Sequence, residues 1–109
     1  MKQLPQLFKI KAEIEIIHRK HPFISGYTPG FIFDGSAFIG QRSGSIKLLD
    51  RKEMGLNEKG IVEIYFYIDV DIEQGKTFSF YEGGTKKGFG RVLEVIGWVT
   101  SPGHSGEGW

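Results

Sequence analysis

GKTFSFYEGGTKKGFGRVLEVI, residues Gly75–Ile96, is the stretch that decides the fold. Phe78 and Phe80 alternate with Thr77, Ser79 and Tyr81, and side chains two apart share one face of a strand, so a half-buried strand is predicted here. Glu82-Gly83-Gly84-Thr85 follows, with two glycines that accept positive φ without a Cβ clash, as a tight antiparallel reversal requires. Gly88-Phe89-Gly90 then brackets one aromatic residue before Arg91–Ile96 resumes a strand, and glycines so placed predict a bulge or a close backbone approach. This hairpin is expected to close a small β-barrel.

Outward from it, two more strands are plain. Val62, Ile64, Phe66, Ile68, Val70 and Ile72 alternate with Glu63, Tyr65, Tyr67, Asp69 and Asp71, and Gly75 is expected to turn that strand directly into the hairpin. Near the start, Phe8, Ile10, Ala12, Ile14 and Ile16 alternate with Lys9, Lys11, Glu13 and Glu15, a period of two that no amphipathic helix gives. His18-Arg19-Lys20-His21-Pro22 reads as a loop. Pro29 has no amide to donate, so Phe31-Ile32-Phe33 is expected to open a strand beyond a kink, with Asp34-Gly35 turning it. Phe38-Ile39-Gly40 and Ile46–Leu49 read as short strands separated by the small residues of Gln41–Ser45. Asp50–Gly60 is a charged connection in which Arg51-Lys52-Glu53-Met54 has room for one helical turn, stopped by Gly55 and Asn57.

These segments predict an all-β fold: one closed antiparallel Greek-key barrel of about six strands, with no helix long enough for a parallel crossover. The barrel is expected over residues 8–99, after an N-terminal arm at 1–7 and before a flexible tail at 100–109 in which Trp109 is the only anchor. Sixteen glycines and nine phenylalanines in 109 residues suit many reversals joining aromatic-rich strands. The length is enough for one core without metals or disulfides.

Composition also bounds the function. With no cysteine, disulfides and thiol catalysis are excluded. A formal net charge of +1 offers no global field to draw nucleic acid or an anionic membrane. Pro5 and Gln6 interrupt any leader-like apolar run, and no run approaches the roughly 20 residues of a membrane helix, so a cytoplasmic protein without a membrane partner is expected.

Three segments in order, Phe8–Ile17, then His21-Pro22-Phe23-Ile24-Ser25-Gly26-Tyr27-Thr28-Pro29-Gly30-Phe31-Ile32-Phe33, then Phe78-Ser79-Phe80-Tyr81-Glu82-Gly83-Gly84 with Gly88, Gly90 and Val92, resemble the C-terminal β-barrel domain of translation elongation factor Tu over roughly residues 8–97. The resemblance implies that barrel as a stand-alone domain. It also implies an RNA contact at the hairpin, where Glu82 and Gly83 match. No G-x-x-x-x-G-K-[ST] loop is present, so a GTPase and a nucleotide partner are excluded. The sequence departs from the family where Tyr81 replaces an arginine and where Ile68-Asp69-Val70-Asp71 replaces a basic strand end. Both exchanges disfavour a phosphate path, because such binding rests on cationic neutralisation.

The expectation is therefore a non-enzymatic binding module with a protein partner. Tyr65, Tyr67 and Tyr81 are expected to project from the outward faces of neighbouring strands, either as an interaction surface or as plain barrel wall. Asp69, Asp71 and Glu73 would form an acidic stripe beside them, which suits a basic partner, such as a toxin held by an immunity-type protein, or simply a solvated strand end. The alternative is RNA binding through Glu82, Gly83, Lys86, Lys87 and Arg91. His18 and His21 lack a third ligand, so neither a metal nor another cofactor is expected. The three histidines, His104 included, stand in no catalytic motif, and no catalytic residue is assigned.

Overall fold

A computed structural model describes residues 6–37, 40–68, 70 and 72–100. Eight strands, β1 (Gln6–Ile16), β2 (Phe23–Ile24), β3 (Gly30–Phe33), β4 (Arg42–Leu48), β5 (Glu53–Met54), β6 (Lys59–Phe66), β7 (Thr77–Glu82) and β8 (Thr85–Thr100), account for the regular structure of these residues. Six of them close a barrel in the order β1-β6-β4-β3-β7-β8, every pair antiparallel, and β2 with β5 makes a separate two-stranded sheet. Consecutive strands β3, β4 and β6 lie side by side with β1 returned next to β6, which is a Greek key. Closure leaves β1 paired on both sides, to β6 and to β8.

Register turns the sequence alternation into interior layers. Ile10, Ile64 and Ile46 face one another across β1, β6 and β4, and Ala12, Val62 and Leu48 form the next row; all six are buried. Phenylalanines fill the rest. The Phe31 ring meets those of Phe66, Phe78 and Phe80 at centroid distances of 5.3, 5.7 and 5.8 Å, the offset and edge-on range that aromatic pairs favour. Glycines make room for them: a Cβ on Gly44 would stand 2.6 Å from the Phe66 ring, and one on Gly90 2.7 Å from that of Phe78. The bracketing glycines thus mark a close approach, and a register shift opposite Lys87 adds the bulge.

The tight turn at Gly83-Gly84 is as the sequence predicts, with Glu82 paired to Thr85 and Gly83 at φ 61°. Positive φ at the first of two loop residues is the requirement of a type II′ hairpin turn. Three expectations change. β6 ends at Phe66, and β7 is not its neighbour but lies opposite it across the barrel, with two strands between them in either direction. The described residues between Phe66 and Thr77 therefore lie across the lower end, the end where β1 begins, and Val70 and Ile72 are buried there as a plug. Their alternation reflects that burial, not a ladder. Second, Arg51–Met54 makes no helical turn; Glu53–Met54 pairs with Phe23–Ile24, burying Met54 and Phe23 over the upper end. Third, the strand at 46–49 starts earlier, at Arg42. Phe38 and Ile39, the N-terminal arm up to Pro5, and the tail beyond Thr100 lie outside the described residues.

Candidate functional site

Of the expected tyrosine face, Tyr65 and Tyr81 do not come together. Tyr65 has the strand parity of an outward residue but is 3 % exposed. Its phenol donates to Glu63 Oε1 at 2.9 Å, Lys9 Nζ holds Glu63 Oε2 at 3.0 Å, and the same ammonium lies 5.5 Å from the Tyr65 ring centre. Burial, reinforced by the carboxylate, raises the Tyr65 pKa. Burial alone would also raise that of Glu63, but the bonds from Lys9 and Tyr65 outweigh it and hold the carboxyl below its ordinary value. Tyr65 is therefore part of the barrel wall, joining β6 to β1. Tyr81, half-buried on β7, sits across the barrel from it, so the two tyrosines share no face. Glu73 is exposed but lies on the crossing loop, and Asp69 and Asp71 lie outside the described residues.

Tyr67 does remain available, at 72 % exposed, and the structure gives it company that the sequence reading missed. Phe66 stands opposite Phe8, and Phe8 opposite Trp98, so Tyr67 and Ile68 emerge at the same lower end as Trp98, itself 52 % exposed and edge-on to Phe8 at 5.5 Å. Val95 and Ile96 extend this exposed apolar surface along β8. On their far side, β7 accompanies β8 only to Arg91, and Gly75 and Lys76 bond Val92; from Leu93 onward β8 has no ladder partner there among the described residues. A signal was present in Leu93–Val99, where Glu94 is the only charge. A strand that exposes one face ordinarily alternates.

At the upper end, where β1 finishes, the hairpin and the His18–Pro22 loop meet. Glu82 Oε2 accepts from the Tyr27 hydroxyl at 2.6 Å and from Arg19 Nε at 2.9 Å. Arg19 also stacks over the Tyr27 ring at 4.7 Å and reaches Phe23 at 5.9 Å. The Tyr27 bond, then Arg19, hold the Glu82 carboxyl below the usual range, while burial and that same bond raise the Tyr27 pKa. Glu82 is thus a tether for the loop. The Gly83 carbonyl accepts from Gln41 Nε2 at 2.7 Å, and the Lys87 carbonyl accepts from the amides of Ile17 and His18 at 2.9 and 3.2 Å. Lys87 therefore stands beside His18, Arg19 and Lys20.

The remaining cations of the RNA set are elsewhere. Lys86 lies over the Phe89 ring at 5.7 Å. Arg91 sits on the outer wall opposite Glu13, in a shallow cleft of about 160 Å³ that Glu15 and Lys59 also line. Carboxylates beside it oppose a phosphate. Among the described residues no three histidine or carboxylate side chains gather as metal ligands, and no helix is long and apolar enough to cross a membrane. No protein-family model matches the chain.

Proposed function

We propose that this protein is a non-enzymatic binding module that takes a protein partner on the lower end of its barrel, with Tyr67, Ile68 and Trp98 as the contact centre. One observation carries the reading: three large side chains, each at least half exposed, gather at one end of an otherwise well-filled barrel. Aromatic side chains that surrender water on contact dominate the energetics of protein interfaces. The closed six-stranded barrel is compatible with a stand-alone relative of the elongation factor Tu C-terminal domain, although a fold by itself carries no function. A toxin-neutralising role of the immunity kind is a narrower form of the same proposal, in which the partner is a basic nuclease and Glu73 flanks the contact.

Capture from the native host, identification of the partner and titration with the purified partner test it. Tyr67→Ser with Trp98→Ser should weaken binding by about thirtyfold or more, the loss of a contact hot spot. Lys20→Glu with Lys87→Glu, at the other end, should leave it unchanged. If the first pair binds the partner like the unaltered protein, the reading fails. Salt-sensitive binding of tRNA, lost with Lys20→Glu and Lys87→Glu, would put the RNA alternative in its place.

A further inference from the structure

The upper end holds a groove that the apolar lower end does not explain. Its floor is aliphatic: Ile17, just past the end of β1, and Leu56, 51 % exposed. Its rim is basic, with His18, Arg19 and Lys20 on one side and Lys87 on the other, around a space of about 400 Å³. That volume suits one or two side chains of a ligand.

The groove is built, not an accident of long side chains. Leu56 sits at the second position of a turn whose third residue, Asn57, takes φ 67°, the left-handed conformation that asparagine tolerates better than most residues. The Glu58 amide closes the turn on the Gly55 carbonyl at 3.1 Å, and Glu58 Oε1 accepts from the Gly55 amide at 2.5 Å. The turn is also tied to β1, Asn57 N to Ile16 O at 2.8 Å and Ile16 N to Glu58 O at 3.0 Å. On the opposite side, the paired bonds from Ile17 and His18 to the Lys87 carbonyl fix that lysine's backbone. Such prior ordering lowers the entropy lost on binding.

Charge complementarity selects the occupant. Two carboxylates on the segments that build the groove already have partners: Glu82 is held by Arg19 and Tyr27, and Glu58 by the Gly55 amide. Among the described residues no ion pair holds Lys20 or Lys87, which leaves both for a ligand. His18 is the one ring among the lining residues and stands on the rim, whereas the aliphatic floor fits an apolar side chain flanked by acids. We propose that this groove docks an acidic peptide segment, seating one aliphatic or aromatic side chain on Ile17 and Leu56 while neighbouring carboxylates meet Lys20 and Lys87.

Fluorescence anisotropy tests this with three probes: a short labelled peptide of aspartates and glutamates around a central leucine, the same peptide with glycine at the centre, and oligouridylate RNA. The leucine peptide should bind, weaken with added salt, and lose about tenfold in affinity either on exchange of its leucine for glycine or on Leu56→Ser in the protein. Lys20→Glu with Lys87→Glu should abolish binding. Leu56→Ser alters an exposed turn position, so its effect is separable from folding. The proposal is overturned if the leucine peptide fails to bind at low salt, if both peptides bind equally, or if the RNA binds more tightly and ignores Leu56→Ser.

Discussion

Gly88 has no side chain because two things already occupy the space a Cβ would take, the tip of the Phe80 ring and the carbonyl of Glu15 on the neighbouring strand. A ring can tilt, but the carbonyl belongs to the β1–β8 ladder and cannot withdraw without breaking it. Gly88→Ala should therefore cost about 3 kcal/mol or more, at the upper end of what overpacking does. Gly83 has open space around it, yet its φ of 61° strains any residue with a Cβ, and Gly83→Ala should cost about 1 kcal/mol. Gly84 has neither constraint, so Gly84→Ala should be close to neutral. Urea midpoints for the three variants check this ranking, and a Gly88→Ala protein as stable as Gly84→Ala would contradict the close packing of Phe80 on the backbone.

Strands β1 and β6 are joined by more than their ladder. Lys9, Glu63 and Tyr65 form a chain across them, and the bonds from Lys9 and Tyr65 keep the Glu63 pKa below its unfolded value in spite of burial. A depressed carboxylate stabilises the fold above its unfolded pKa, about 4.3 for glutamate, and that contribution disappears as pH falls through the folded value. Glu63→Gln should therefore lower the urea midpoint near neutral pH, and the deficit should shrink by about pH 3. An equal deficit at both pH values would mean that the charge contributes nothing. The two strands themselves were legible, since each is half-buried and alternates. The chain between them was not, because Lys9 is remote from Glu63 in sequence and only the register brings them together. The same ignorance of register made Tyr65 look like a contact residue. Val70 and Ile72 misled differently: two buried residues two apart in a plug have the spacing of a strand face. The β2–β5 pair, two residues each, is too short to leave a period at all. The β7–β8 hairpin was the easiest to read because its turn fixes its own pairing.

The whole molecule presents unlike ends, aromatic below and basic over an aliphatic floor above. They are separated along β1 from the Phe8–Trp98 pair to the Ile16–Gly88 pair, about 26 Å at the usual rise per residue. Between them lies a ring of strands closed by backbone bonds around phenylalanines packed mostly edge-on or tilted, and packed interiors of this kind do not deform continuously. Among the described residues the six barrel strands form one continuous hydrogen-bonded ring, and without an element of two packings one site has no means of biasing another. Sites this far apart with no shared partner add within about 0.5 kcal/mol, roughly a factor of two in affinity. Tyr67→Ser with Trp98→Ser should accordingly leave the affinity for the leucine-centred acidic peptide within about twofold of its original value. The same pair combined with Leu56→Ser should show the full Leu56→Ser loss and nothing more. A tenfold change in peptide affinity from the lower-end pair alone would require the plug at Val70 and Ile72 to be a moving part linked to β1, and the barrel would then be a conductor between its ends instead of a spacer.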